Sequence, residues 1–136
     1  MKNSKFSLGI SDNLEIDKYN ILNATILSMK RAYNIFKNTN FNVKIDGVKT
    51  FELNDRTTFQ VKGDQKSITI ASASIVAKVY RDELMINLSN KYPHYGWEKN
   101  KGYGTKYHLK AIQNFGTSAL HRKSFLKKTK PWIMGT

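Results

Sequence analysis

The sequence predicts an α/β fold on three observations. An amphipathic helical stretch precedes residue 40. Two short alternating segments follow, each closing on an aspartate beside a glycine, and a second long helical stretch runs from about Thr69 to Lys91. Helix, strand, loop, strand, helix is the order in which strand ends carry a functional site.

The first helix opens near Ser11 or Asp12, either of which could cap it, with Glu15 and Asp17 in the first turns where the macrodipole favours acids. Leu22, Ile26, Met29, Tyr33 and Phe36 recur at spacings of four and three, one buried stripe, and Asn38-Thr39-Asn40 ends it. Phe41, Val43 and Ile45 then alternate with Asn42, Lys44 and Asp46, a half-buried strand that presents Asp46 opposite its apolar face. A polar stretch around Glu52 to Arg56 leads to a second strand near Thr57 to Lys62 that ends in Gly63-Asp64.

In the long helix, Ser72, Ile75, Val79, Asp82 and Ile86 share a face, and Ala73, Ala77, Leu84 and Leu88 widen the side expected to be buried. Tyr92-Pro93 stops it, because proline cannot continue the hydrogen-bond ladder. Tyr95 to Gly104 reads as a glycine-aromatic-lysine loop, followed by a helix from a Thr105 cap to about Phe115 with Gly116 just past its end. The rest, about 117–136, reads as a basic strap on one domain spanning 1–136.

The chain is strongly basic: 23 Lys and Arg against 10 Asp and Glu, formal charge +13. From Lys99 to Lys130 there are nine basic residues and no acid. That is the electrostatic footprint of a nucleic-acid binder, although a solvated basic tail gives the same count. With no cysteine there are neither disulfides nor thiolate metal sites, which fits a cytoplasmic location. No apolar run approaches the ~20 residues of a membrane span, so no membrane partner is expected.

Within this basic chain, Asp46 and Asp64 stand out. Carboxylates on rigid strand ends can hold magnesium or manganese against a phosphodiester, and hard divalent ions prefer such oxygen ligands. Asp-Gly and Gly-Asp are also ordinary turn pairs, and that reading stays open. Asp82, on the packed side of the long helix, could be a metal ligand or be satisfied by Arg81, Lys78 or a backbone amide, and a structural ion pair is the expectation. The loop from Lys99 to Thr105 joins cations, glycines and Tyr103 immediately before a helix start, where free amides bind phosphate and a ring can stack on a base or sugar. A surface turn with an anchoring tyrosine would look the same. His108 and His121 could touch phosphate or move a proton, or be structural.

Six segments occur here in the order seen in ribonuclease HII. They are Asn20-Ile21-Leu22-Asn23-Ala24-Thr25, Ile45-Asp46-Gly47, Lys62-Gly63-Asp64, Ala73 to Asp82, Lys101-Gly102-Tyr103-Gly104-Thr105 and His121-Arg122-Lys123-Ser124-Phe125. From about Gly9 to Phe125 the chain resembles that family. The resemblance implies a ribonuclease H-like fold and an endoribonuclease that cuts the RNA strand of RNA–DNA hybrids, or of a duplex with an embedded ribonucleotide, using manganese or magnesium. It implies that Asp46 and Asp64 are catalytic metal ligands and that Tyr103 presses on the ribose. Lys62, Lys101, Gly102, Thr105, His121 and Arg122 are the other expected nucleic-acid contacts.

The family's site has four acids, and its Asp-Glu-Ala-Gly-Arg-Gly strand has no counterpart in this sequence. The expectation is therefore a ribonuclease H-like domain lacking its first strands. Such a chain would be inactive alone and would depend on a separately encoded N-terminal half. The alternatives are a non-catalytic basic duplex-binding module and the remnant of a decayed gene.

Overall fold

The computed structural model describes residues 4–127. Helices predominate over one two-stranded parallel sheet, in two compact units, Met1–Ala77 and Lys78–Thr136. The elements are α1 (Asn13–Tyr33), a 3-10 turn (Asn34–Phe36), β1 (Val43–Asp46), β2 (Thr57–Gln60), α2 (Gly63–Lys66), α3 (Ile68–Lys91), a 3-10 turn (Pro93–Tyr95), α4 (Trp97–Asn100), α5 (Lys106–Phe115) and α6 (Lys123–Leu126). Among the described residues no helix is long and apolar enough to cross a membrane.

In the first unit, Asp12 is the cap of α1. Its carboxylate accepts from the Glu15 N–H at 2.8 Å, and Glu15 accepts from the Asp12 N–H at 3.1 Å, a reciprocal capping box. Glu15 is also gripped by Arg31 through two guanidinium N–H groups at 2.6 and 2.8 Å. α1 differs from the uninterrupted helix the periodicity implies. Asn20 sits at φ 68°, ψ 167°, and its side chain accepts from the Asn23 N–H at 3.0 Å, so it breaks one helical piece and caps the next. The kink changes which side is covered: Leu22 is exposed, Ile26, Met29, Tyr33 and Phe36 are half-buried, and Ala24 is the buried residue. Gly9 lies directly on this helix, where a Cβ would overlap the Ser28 carbonyl oxygen.

β1 and β2 pair in parallel with Val43 opposite Thr57, Ile45 opposite Phe59 and Asp46 opposite Gln60. Ile45 is buried and Phe59 half-buried, with Phe51 edge-on to the Phe59 ring at 5.8 Å. The expectation of a strand running to Lys62 and ending in Gly63-Asp64 is corrected. β2 stops at Gln60, Lys62 turns into the left-handed region (φ 55°, ψ 45°), and Asp64 lies in the helical turn α2. A left-handed residue cannot continue a pleated strand.

α3 stops at Lys91, as Pro93 requires, but its predicted inner face is a second correction. Ile75 is 63% exposed, Val79, Ile86, Ala73, Ala77 and Leu84 are exposed as well, and Asp82 and Leu88 are half-buried. Ile70, Met85 and Ser89 are the buried positions of the helix. The apolar stripe is real in sequence, yet no described residue buries it.

The second unit has its core on the Met85 side, where Met85, Tyr95, Trp97, Ala111 and Ile112 form one buried cluster, with Leu88, Tyr92 and Leu126 against it. Tyr95 and Trp97 stack at 5.1 Å, and the Tyr95 hydroxyl donates to the Gly116 carbonyl at 3.0 Å, fastening the end of α5. α5 keeps its expected limits, with Thr105 accepting from the His108 N–H at 3.3 Å and Gly116 at φ 75° beyond Phe115. The segment expected as a strap contains the helical turn α6, and residues 128–136 lie outside the described range.

Candidate functional site

The strands run parallel, so both of their carboxyl ends lie at one end of the sheet. Asp46 closes β1, and its Oδ1 accepts from the Gly63 backbone N–H at 2.9 Å. Gly63 is buried, and a Cβ there would fall 2.5 Å from Ile70 Cδ1, so any side chain at this position requires the end of Ile70 to shift. The next residue is Asp64. Both aspartates are exposed, and Lys62 is exposed beside them. Asp46 is thus a solvent-facing carboxylate held by one charge-assisted hydrogen bond to the main chain, and Asp64 is a second exposed carboxylate one residue beyond the donor.

This donor set fits a hard divalent cation in kind, since it offers oxygen and neither sulfur nor imidazole. It falls short in number. Among the described residues, no group of three or more acids, histidines or cysteines comes together.

The loop residues lie in the second unit. Tyr103 is 68% exposed, but its backbone is tied inward. Its N–H donates to the Asn100 carbonyl at 2.8 Å, and its carbonyl accepts from the Thr105 N–H at 2.9 Å. Asn100 Oδ1 accepts from the Gly102 N–H at 2.9 Å, and Arg81 donates to the Lys101 carbonyl at 3.0 Å. Lys101 is in the left-handed region (φ 51°), and its ammonium donates to the Glu98 carbonyl at 2.6 Å.

Arg81 is thus engaged with the loop, and Asp82 forms no ion pair among the described residues, correcting the pairing expected for it. Arg122 is half-buried, its guanidinium 3.9 Å from the centre of the Phe125 ring.

His121 stands apart from the other expected contacts, being 6% exposed. Its Nδ1 accepts from the Ser118 N–H at 2.9 Å, and its Nε2 meets His108 Nε2 at 3.1 Å. His108, 5% exposed, also receives Trp97 Nε1–H at 3.2 Å, and its Nδ1 reaches the Tyr103 carbonyl at 2.9 Å. Burial, and then the neighbouring His108, pushes His121 down to about 4. Sequence reasoning treated the histidines as separate. The spacing of thirteen residues between them follows no helical or strand period, so no local pattern could pair them.

The family model described as Ribonuclease HII matches residues 2–128. Among curated relatives, a ribonuclease HII from Clostridioides difficile is 47% identical over 90% of this chain and 48% of its own length. One from Pelagibacter ubique is 48% identical over 91% of this chain and 67% of its own. One from Fusobacterium nucleatum is 49% identical over 94% of this chain and 62% of its own. The chain thus spans roughly half to two thirds of the length of these relatives.

Proposed function

Because the chain belongs to the ribonuclease HII family, we propose that it carries part of an endoribonuclease site acting on the RNA strand of RNA–DNA hybrids or on ribonucleotides embedded in DNA. The observation that carries the reading is the Asp46–Gly63 hydrogen bond on a parallel strand pair, which ties Asp46 to the residue before Asp64 in a chain of charge +13. A ribonuclease H-like sheet, continued beyond β1 and β2, is the arrangement this pair suits.

In this reading Asp46 and Asp64 hold manganese or magnesium. A divalent ion bound there would stabilise charge on the scissile phosphate. The chain's own residues supply the rest. Asp46 is oriented by the Gly63 N–H, Lys62 offers its charge to phosphate, and the exposed Tyr103 ring meets the ribose, with Lys101, Gly102, Thr105 and Arg122 as neighbouring contacts. Two carboxylates leave half of the charge of two divalent ions uncompensated, so this 136-residue chain by itself is inactive or nearly so. The bare apolar face of α3 and the two-acid site both favour a partner polypeptide that adds carboxylates and covers Ile75, Val79 and Ile86.

The test is hydrolysis of a duplex with one embedded ribonucleotide in manganese. The purified chain alone should not cleave, and adding the N-terminal segment of a ribonuclease HII relative should restore cleavage that Asp46→Asn abolishes. Robust cleavage by the chain alone overturns the inactivity, and restored cleavage that survives Asp46→Asn overturns the site. The second reading, a basic duplex-binding module, draws on the nine cations between Lys99 and Lys130. It predicts binding that falls steeply with salt and is indifferent to Asp46→Asn.

A further inference from the structure

We propose that His108 is the positioning residue for Tyr103, held in one tautomer by His121, so that the two buried rings fix the loop from Lys101 to Thr105. The inference deepens the reading of Tyr103 as the ribose contact and rests on it for its functional sense.

Donor and acceptor roles around the two rings allow one consistent assignment. The Tyr103 carbonyl can only accept, so His108 Nδ1 carries a proton and donates to it. The Trp97 indole N–H can only donate, so His108 Nε2 presents its lone pair. The Ser118 N–H can only donate, so His121 Nδ1 is also a lone pair and His121 Nε2 carries the proton that points at His108 Nε2. Each ring is neutral, and each fixes the other's tautomer. A proton added to His108 Nε2 would meet two donors, whereas His121 Nδ1 faces the Ser118 N–H and the Ser118 hydroxyl, each at 2.9 Å.

The chain of bonds ends on the backbone of an exposed aromatic. The Tyr103 carbonyl accepts from His108 and from the Thr105 N–H together, and Thr105 in turn caps the helix that carries His108. The two rings lie 5.3 Å apart, and the Tyr95 ring is set against both, 4.7 Å from His121 and 6.0 Å from His108. A merely space-filling histidine pair would need no such directional link to the Tyr103 carbonyl. A loop that presents a ring to a ligand gains from having its backbone fixed beforehand.

The test begins with the full chain, free in solution. Imidazole ¹⁵N shifts near pH 7 should show His108 protonated on Nδ1 and His121 on Nε2. The opposite tautomer in either ring overturns the inference. His108→Leu should speed amide exchange at Tyr103 and Thr105 by more than about tenfold. His108→Asn, whose side-chain amide can still donate to the Tyr103 carbonyl, should keep it near the wild-type rate. Equal rates in the two variants overturn the positioning role, and retained protection elsewhere in α5 shows that His108→Leu is folded.

The binding arm uses a duplex with one embedded ribonucleotide. His108→Leu should weaken binding roughly five- to tenfold, the scale of a lost stacking contact, and should add nothing in a Tyr103→Ala background. Equal weakening in both backgrounds overturns action through Tyr103. If Tyr103→Ala alone binds normally, the ribose reading of Tyr103 fails, and the exchange comparison on the free chain still decides whether His108 orders the loop.

Discussion

Asp46 and Gly63 are joined by a 2.9 Å hydrogen bond from the Gly63 N–H to Asp46 Oδ1, which ties the end of β1 to the residue immediately before Asp64. The proposed metal site is thereby coupled to the fold: the same hydrogen bond that orients Asp46 also fastens the turn after β2.

Separating charge from hydrogen bonding at Asp46 follows directly. Asp46→Ala removes the acceptor and should lower stability by about 1 kcal/mol, read as a lower urea midpoint at unchanged slope. Asp46→Asn keeps an acceptor for the Gly63 N–H and should stay within about 0.5 kcal/mol of wild type. Both should weaken manganese binding by at least about tenfold in titration calorimetry, since even outer partners of a ligand carry that much.

Gly63 offers a packing test. Gly63→Ala should destabilise by about 1–2 kcal/mol, because the new Cβ falls 2.5 Å from Ile70 Cδ1. Ile70→Val removes that atom at a cost of about 0.5–1.5 kcal/mol, and the next contact, Ile70 Cγ2, stands at 3.4 Å. The double variant should be more stable than the sum of the single losses, measured as a non-additive denaturation cycle.

Acid should act on His121. Its folded pKa, about 4, lies below the ordinary histidine value of 6.5, so between those values the unfolded chain binds the proton more readily. Stability is fully present above about pH 6.5, falls as pH drops toward 4, and levels off below it. His121→Gln should flatten that segment of the stability curve.

Glu15 gives the opposite sign. Hydrogen bonds from Arg31 and then from the Asp12 N–H hold its carboxyl at about 2, below the ordinary 4.5. Its contribution is present above about pH 4.5 and is lost as pH falls toward 2. Arg31→Ala should move the Glu15 carboxyl ¹³C titration midpoint up toward the ordinary range. Unchanged titration would show that the two-pronged contact does not persist in solution.

Local chemistry in the sequence foretold the parts of the fold that local chemistry decides. Asp12 with Glu15 caps α1, Pro93 follows the end of α3, and Thr105 and Gly116 bracket α5, each through interactions spanning a few residues. The Ile45-Asp46 strand could be read from alternation alone. The turn at Lys62 could not, because a lysine in left-handed backbone leaves no compositional trace. Periodicity identified the apolar stripe of α3 but not what covers it, since Ile75 and Val79 carry the same pattern whether they meet a neighbour or water. The candidate acids were named from their strand-end positions, whereas the bond from Gly63 to Asp46 spans 17 residues and the histidine pair 13. Such contacts emerge only from the folded chain.

The same dipeptide, lysine then glycine, occurs at 62–63 and at 101–102, and both lysines hold the left-handed backbone that L-residues disfavour by about 1–2 kcal/mol. Glycine at either place would relieve that conformation, yet it would also remove a cation from a surface proposed to meet phosphate. Durability and grip therefore pull against each other at Lys62 and Lys101. Selection for heat resistance alone would drift toward glycine there and yield a sturdier protein with a looser hold on the duplex proposed for it.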